Sequence, residues 1–397
     1  MTDRRVSLSR VLDRDVAPAF TLIAGALAAL IWSFADSSGY ERVINVGWSN
    51  RLMSDVGLSS PHDIAASVLM TIFFFGIGLE LARELRRGAL AHLRHAAPPV
   101  LAAIGGMTVT AGLAVFAGYL THLPALRHGW GIPMATDVAF TLGVVALVGA
   151  RVPATLRLFL LALAVADDAL SVVVLSVDGT TNVRVIGIAA SGVVAAVAWL
   201  AMRRRATTGV RIAVLIGLWA ALTWANVEPA LAGVVAGVLA PFDGDVVPGL
   251  ERITNRWSVA VVLPAYALVS CGVEWTHLHW GGTTTTIVVA FVAVRIVGKF
   301  LGITAGVTVA RRLGFPPPAA ITGPVLRAGA VLCAIGFTVP LLFTRALFAP
   351  SSATYGAFSV GLVVASLIAA VVGGVMLRHG VSAVRSNWEG AREDPID

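Results

Sequence analysis

The chain has 397 residues, of which 57% are hydrophobic and only 13% charged, and its mean hydropathy is +0.85. A soluble domain carries about 25% charged residues, so this composition excludes a soluble enzyme. The net charge of +7 fits basic residues in cytoplasmic loops that face anionic headgroups of the lipid bilayer, and no nucleic-acid partner is inferred. The long apolar runs predict an all-α polytopic membrane protein rather than a β-barrel, whose strands are short and alternating.

Twelve apolar segments along the chain predict membrane-spanning helices of about 20 residues each. Numbered in chain order, segments 1 to 12 lie near residues 17–35, 65–82, 96–120, 129–150, 153–177, 183–202, 208–225, 229–241, 257–273, 285–310, 319–344 and 356–377. Segment 8 is short and begins at Pro229, which suits a helix buried among others. Together the segments predict a single transmembrane transporter domain over residues 1–397, with short cytoplasmic tails at about 1–16 and 379–397.

The distribution of arginine residues predicts the orientation of the chain in the membrane. Twenty-one arginines lie in or beside alternate connections, beginning with the N-terminal tail, whereas five lie in the other connections. Cytoplasmic loops carry the excess of lysine and arginine in membrane proteins. Both termini are therefore predicted to be cytoplasmic.

Four charged residues stand out inside the apolar segments, where a charge is costly and indicates function. Asp137 lies in segment 4, Asp167 and Asp168 lie near the middle of segment 5, and Lys299 lies near the middle of segment 10. Neighbouring residues on a helix point about 100° apart, so one aspartate can face a cavity while the other faces another helix. Because carboxylate oxygens suit sodium-like or divalent cations as well as protons, Asp167 and Asp168 form a predicted site for protons or a small hard cation such as sodium.

Lys299 is the only lysine in a chain that has 28 arginines. A buried amine loses its proton far more readily than a guanidinium does, which favours a role for Lys299 in ion or proton handling. The alternative is a fixed charge that neutralises helix dipoles or an aspartate. Arg295 and Arg327 are weaker candidates, because a long arginine side chain near the end of a segment can extend to the membrane surface.

Segments 4 and 11 are predicted to be interrupted helices. Pro133 precedes Thr136 and Asp137 in segment 4, and Gly336 lies two residues before Thr338 in segment 11. Non-helical backbone at membrane depth occurs where it lines a cavity or is buried in protein. Paired interruptions in inverted repeats mark the binding site of secondary transporters. Segments 3–5 and 10–12 form such a predicted pair, since they begin with opposite orientations.

Other functions for the buried charges fit the sequence less well. An intramembrane aspartyl protease needs one aspartate on each of two facing helices, which Asp137 and Asp167 could supply. Its Gly-x-Gly-Asp and Tyr-Asp contexts are absent from the sequence, however, and Lys299 would have no role. A channel is disfavoured because repeated filter motifs and charged rings are missing. A sodium- or proton-coupled symporter of an organic solute on the same fold remains an open alternative.

Six short stretches carry a resemblance to a known family: FFGIGLELARELRRG at 74–88, AAIGGM at 102–107, ATDVAF at 135–140, LALAVADD at 161–168, GK at 298–299 and GFT at 336–338. In this order and spacing they resemble the bacterial sodium/proton antiporters of the NhaA family, across about residues 12–380. The chain departs from the family at 169–171, where Ala-Leu-Ser replaces Leu-Gly-Ala, and at 270–272, where Ser-Cys-Gly replaces Asn-Ala-Gly.

The resemblance implies a role for each buried polar residue. Asp168 would be the main cation-binding carboxylate, and Asp167 would exchange between an ion pair with Lys299 and a protonated or cation-bound state. Thr136 would offer an oxygen to the cation. Asp137 and Lys299 would offset the dipoles of the half-helices where segments 4 and 11 cross. The positions matched with pH regulation at the cytoplasmic end are Glu80, Arg83, Glu84 and Glu251.

The resemblance also implies the activity and the assembly of the protein. The expected activity is electrogenic exchange of sodium or lithium for protons by alternating access across the bacterial plasma (inner) membrane, for pH and sodium homeostasis. Neither an enzymatic activity nor a cofactor is implied. A homodimer is expected through the loop 36–63, in which the strand-like run RVINV at 42–46 would belong to a β-hairpin.

Overall fold

The computed structural model of the protein describes residues 8–47, 58–87, 91–149, 152–177, 185–203, 208–225, 230–240, 246–272, 280–349 and 352–393. Every regular element in these ranges is helical, which confirms the all-α class. Four helical stretches among them are long and apolar enough to cross a membrane: Pro61–Glu80, Arg94–Leu120, Gly282–Arg312 and Ala353–Val381. They correspond to predicted segments 2, 3, 10 and 12, and the total of twelve spans stays a prediction.

We number the helices in chain order. The first seven are α1 (Leu8–Ala35), α2 (Ser37–Ile44), α3 (Pro61–Ile64, the π-helical turn Ala65–Leu69, and Met70–Arg87), α4 (Leu93–Leu120), α5 (Pro124–His128), α6 (Val138–Val148) and α7 (Ala154–Val177). The others are α8 (Val185–Arg203), α9 (Thr208–Trp224), α10 (Ala230–Leu239), α11 (Val246–Trp257, the π-helical turn Ser258–Val262, and Leu263–Ser270), α12 (Gly282–Arg312), α13 (Gly323–Leu332), α14 (Thr338–Leu347) and α15 (Ala353–Glu393).

Helices α4 and α12 pack along each other through glycines. A Cβ atom added at Gly105 would lie 2.3 Å from the carbonyl oxygen of Gly302, and one added at Gly302 would lie 2.2 Å from that of Gly105. Atoms cannot approach so closely, so neither position accepts a side chain, and the two backbones are in direct contact. Lys299 lies three residues before Gly302 on α12, and its side chain packs against Gly106 of α4.

The same two helices also contact the helices that carry the other residues singled out in the sequence. Helix α4 also packs against α7, which carries Asp167 and Asp168. Helix α12 packs against α13 and α15, which also pack against each other. Buried apolar side chains from each of these helices belong to one hydrophobic cluster. Asp167, Asp168 and Lys299 therefore lie on helices that pack against α4, and not on a loop.

Both predicted interruptions are present. In segment 4, helix α5 ends at His128 and α6 begins at Val138, and in segment 11, α13 ends at Leu332 and α14 begins at Thr338. The expectation of a half-helix before the first break is wrong, because residues 129–134 form successive turns. Two glycines and a proline in this stretch, at positions 129, 131 and 133, disfavour a helix there.

The strand predicted at 42–46 is also wrong, because residues 37–44 form helix α2. Asp36 caps this helix: its side chain accepts a hydrogen bond from the amide of Gly39, which holds the pKa of the exposed Asp36 carboxyl below its ordinary value. The buried residues Ser37, Tyr40 and Ile44 recur at the spacing of one helical face. Val43 and Ile44, two of the three β-branched residues in the run, are therefore part of an amphipathic helix.

Helix α2 packs back onto its own chain through Tyr40. The Tyr40 hydroxyl donates a hydrogen bond to the carbonyl of Leu268 (2.8 Å) and accepts one from the amide of Gly272 (3.1 Å), both near the end of α11. Burial raises the pKa of this phenol. Residues 48–57, where the rest of the expected hairpin would fall, lie outside the described residues, so the dimer through the loop 36–63 stays a prediction.

Candidate cation-binding site

The two interruptions lie against each other and are joined by hydrogen bonds. The amide of Asp137 donates to the carbonyl of Ile335 (2.9 Å), and the hydroxyl of Thr136 donates to the carbonyl of Cys333 (2.8 Å). Carbonyls that follow the last turn of a helix lack partners inside that helix, so the first break supplies donors to the second. This contact, which we call the crossing (residues 132–137 and 333–337), holds both breaks in one arrangement.

The Asp137 carboxylate lies at the start of α6 and is buried. The amide of Phe140 donates to Asp137 Oδ1 (3.3 Å). The first turn of a helix presents free N–H groups and the positive end of the helix dipole, and both favour a negative charge there. Asp137 therefore lies where a carboxylate stabilises α6.

Asp167 and Lys299 form an ion pair that is entirely removed from solvent. The Lys299 amine donates to Asp167 Oδ1 at 3.0 Å and to Oδ2 at 2.8 Å, and both side chains are 0% exposed. A buried pair needs this close geometry, because desolvation of the two charges otherwise outweighs their attraction. The structure thus brings together two of the charges that the sequence singled out, from α7 and α12.

Asp168 is buried next to this pair but has no partner for one of its oxygens. Its exposure is 3%, and Oδ1 makes no hydrogen bond. An ionised carboxylate in such surroundings is strongly destabilised, whereas a bound proton or a cation removes the penalty. Asp168 is therefore the carboxylate in the site whose surroundings call for an added positive charge.

Ser171 is a polar residue of this region that the sequence reasoning missed. It lies one helical turn after Asp168 on α7, it is fully buried, and its hydroxyl makes no hydrogen bond. Residues three apart lie on the same helical face. The signal was present in the sequence as the Ala-Leu-Ser departure after the aspartate pair, but a departure alone does not show which way the hydroxyl faces.

The structure bears on the expectations for Lys299 and Arg295. The Lys299 amine forms the ion pair with Asp167 that the family resemblance implied, and its expected role at the helix dipoles stays a prediction. Arg295 was expected to extend toward the membrane surface, but it is fully buried and donates to the carbonyls of Ala135 (2.6 Å) and Ala334 (2.7 Å) at the crossing. Arg327, in contrast, is exposed. The positive charge that contacts the crossing therefore comes from Arg295.

Gly336, in the second break, is held by α15. Its amide donates to the Ser366 hydroxyl (3.1 Å), which in turn donates to the Gly336 carbonyl (3.2 Å). Pro133 is buried in the first break, and Thr338 is the first residue of α14. The three predicted interruption positions thus all lie at or beside the crossing.

Three of the four residues matched with pH regulation lie close together in space, on helices other than the one that carries the aspartate pair. Arg83 of α3 forms an ion pair with Glu251 of α11 and lies 3.5 Å from Glu80. These side chains are partly exposed, so solvent screens their interaction. The side chain of Glu84 lies outside the described residues.

The carboxylates of the aspartate pair are oxygen donors of the kind that a small hard cation prefers. Among the residues that the structure describes, no three His, Cys, Asp or Glu side chains cluster as a metal site would require. Asp167 and Asp168 are neighbours on α7, and the neutral hydroxyl of Ser171 lies one helical turn further along the same helix. Oxygen ligands are preferred by hard cations.

Comparisons with known proteins agree with this chemistry. A family model described as "Na+/H+ antiporter 1" matches residues 9–377. The chain is 37% identical over 321 residues to the Na(+)/H(+) antiporter NhaA of Enterobacter sp. (strain 638), a match that covers 79% of this chain and 82% of that protein. It is 38% identical over 325 residues to the Na(+)/H(+) antiporter NhaA of Citrobacter koseri, with 80% and 83% covered. The resemblance inferred from the motifs is confirmed, and the chain belongs to the Na+/H+ antiporter 1 family.

Proposed function

We propose that this protein exchanges sodium, or lithium, for protons across a membrane, with Asp168 and Asp167 as the shared binding site. Membership of the Na+/H+ antiporter 1 family supports the exchange itself. The observation that carries the site assignment is the unpartnered, buried Oδ1 of Asp168 beside the closed ion pair of Asp167 and Lys299. The protein is accordingly a transporter and not an enzyme.

The arrangement explains why a cation and a proton would exclude each other. Asp168 needs one positive charge to offset its burial, and either a proton or a sodium ion supplies it. A sodium ion that binds both carboxylates competes with Lys299 for Asp167. Release of Asp167 leaves the Lys299 amine buried without its partner, which favours loss of its proton. Sodium entry would then displace a proton from Asp168 and a second from Lys299, and the exchange would be electrogenic.

Alternating access through inverted repeats is the transport cycle that we propose for this site. The predicted repeats are segments 3–5 and 10–12, within twelve spans whose termini are both cytoplasmic and within the single domain 1–397. The hydrogen-bonded crossing of the two interrupted segments supports this proposal, since broken helices line the binding sites of such transporters. Rocking of one helical bundle against the other would expose Asp168 to each side in turn.

We also propose how the protein is regulated, how it assembles and in which membrane it lies. The cluster of Arg83, Glu80 and Glu251 joins α3 to α11 at the positions that the resemblance matched with pH regulation, and Glu84 belongs to the same helix as Glu80 and Arg83. The proposed assembly is a homodimer through the loop 36–63. The proposed location is the bacterial inner membrane, with the lipid bilayer around the apolar helices and a role in pH and sodium homeostasis.

Everted membrane vesicles that contain this protein as the only antiporter test the function. Added sodium should dissipate a preformed pH gradient, read by dequenching of an acridine dye. Asp168→Asn and Asp167→Asn should each abolish this signal while the protein remains folded and inserted, because an amide does not ionise near neutral pH and carries no charge. Asp36→Asn makes the same chemical change at an exposed cap of α2 and should leave exchange intact.

Two outcomes would contradict the proposal. Near wild-type exchange by either site variant would place the cation elsewhere. Sodium uptake that requires an added organic solute and moves no proton outward would instead support the symporter, the alternative that the sequence left open.

A further inference from the structure

Among the side chains that the structure describes, Arg295 is the largest that is fully buried, yet the proposed exchange of sodium for protons gives it no role. It is 0% exposed, and it lies one helical turn before Lys299 on α12. A guanidinium keeps its charge under all physiological conditions, so the protein maintains a permanent positive charge beside its cation site. Burial of such a charge is costly unless hydrogen bonds satisfy it.

The guanidinium contacts main-chain carbonyls from both breaks. Its Nη2 donates to Ala135 at 2.6 Å and its Nη1 to Ile132 at 3.4 Å, both in the first break. Its Nε donates to Ala334 at 2.7 Å, in the second break. One side chain on a third segment therefore binds the two segments that form the crossing.

These contacts require the geometry of arginine in particular. The carbonyl of Ala334 follows the C-terminal end of α13, where the helix dipole is negative and a cation is favoured. The planar fork of a guanidinium presents donors in several directions, whereas a lysine amine is a single point charge. Asp167 and Asp137 also interact with Arg295 electrostatically, so the charge belongs to the field of the site.

Gly336 leaves the space that the guanidinium occupies. A Cβ atom at Gly336 would lie 1.9 Å from Nη2 of Arg295, which is far closer than any non-bonded contact. An alanine at this position would therefore displace the guanidinium from its carbonyl partners. The absence of a side chain at position 336 and the presence of arginine at position 295 form one structural unit.

We infer that Arg295 is a positioning residue of the cation site, which fixes the crossing so that the Thr136 oxygen and the two aspartates face one ion, and which leaves Lys299 available to Asp167. The inference rests on the exchange function proposed above. The two buried cations of α12 then have different roles, since Arg295 holds the backbone and Lys299 responds to the transported ion.

The first test measures the stability of the crossing by deuterium exchange and does not depend on transport activity. In Arg295→Gln, hydrogen–deuterium exchange in peptides covering 132–137 and 333–337 should accelerate about tenfold or more, since each lost charged hydrogen bond contributes on that scale. Arg295→Lys should be intermediate. Arg327→Gln is the matched control, because Arg327 is exposed and donates to a carbonyl of its own helix (3.2 Å). Unchanged protection in a folded Arg295→Gln protein would overturn the inference, whether or not the protein moves sodium.

The second test asks whether the crossing tunes the ion site. Lithium and sodium carry the same charge, so removal of the arginine charge affects both equally, and a change in their ratio reports geometry. A loosened site should raise the apparent KM for lithium more than that for sodium, by about threefold, because the smaller ion needs closer oxygens. Gly336→Ala, which displaces the guanidinium but keeps its charge, should act in the same direction.

The two tests separate the possible failures. Faster deuterium exchange with an unchanged lithium-to-sodium ratio would make Arg295 a structural residue only and would overturn the positioning role. Absence of exchange activity in the wild-type protein would contradict the proposed function, and the deuterium measurement would still decide whether Arg295 holds the crossing.

Discussion

The buried ion pair between Asp167 and Lys299 predicts a strong energetic coupling that stability measurements can detect. Lys299→Gln or Asp167→Asn alone leaves one charge buried without its partner, since both side chains are 0% exposed and 2.8 Å apart. Loss of one partner of a buried pair costs about 3–5 kcal/mol of unfolding free energy. The double variant removes both charges, and we expect it to be within about 1 kcal/mol of the wild type, because neutral replacement of a buried pair is often tolerated.

The measurement is the free energy of unfolding of the purified protein in mild detergent micelles titrated with a denaturing detergent. The four proteins of the cycle give the coupling energy as the difference between the double variant and the sum of the single variants. The expected coupling is several kcal/mol. A matched control comes from the ion pair of Arg83 and Glu251, which is 42% and 23% exposed and should show a coupling of about 1 kcal/mol or less.

One result would refute this reasoning. If the coupling between Asp167 and Lys299 were no larger than that between Arg83 and Glu251, the two groups could not be a desolvated ion pair. Sodium would then have no competitor at Asp167, and the proposed release of a proton from Lys299 would lose its physical basis.

The same geometry leads to three more predictions. Lys299→Arg keeps the charge but releases no proton near neutral pH. In proteoliposomes this variant should therefore move fewer protons per sodium, and its exchange should depend less on an imposed membrane potential. Unchanged electrogenicity would leave Lys299 a structural partner of Asp167. Ser171→Ala removes a buried, unpartnered hydroxyl and should raise the apparent sodium KM roughly tenfold. Ser191→Ala is the control, because the Ser191 hydroxyl bonds within α8, and it should leave this KM unchanged. Deletion of residues 46–57, which keeps α2, should give active monomers by light scattering, and a persistent dimer would place the interface elsewhere.

Composition and spacing determined much of this protein without the structure. The charge content and the apolar runs required a helical membrane protein, because backbone groups in lipid must be satisfied within the chain. Pro133 and Gly336 marked both breaks, since neither residue favours an uninterrupted helix. Asp167, Asp168 and Lys299 were conspicuous because charges at membrane depth are retained for function. These features are local, and a single sequence reveals them.

Local sequence misled where tertiary contacts outweigh propensity. The run at 42–46 has the β-branched residues of a strand, yet the Asp36 cap and the burial of Tyr40 against α11 stabilise a helix up to Ile44. The turns at 129–134 take the place of an expected half-helix: the carbonyls of Gly129 and Gly131 bond within the stretch, and that of Ile132 accepts from Arg295 on α12. Such partners are far apart in the sequence, and the periodicity of apolar residues does not predict them.

The family resemblance implied that Lys299 pairs with Asp167, whereas the partners of Arg295 were decided by the fold alone. The sequence placed both cations on one helix, but only the contact of α12 with the crossing directed the arginine to the carbonyls of both breaks. The physical reason is that a desolvated charge is stable only beside groups that satisfy it. Side-chain type shows that such partners must exist, whereas the rotation and contact of helices determine which groups they are.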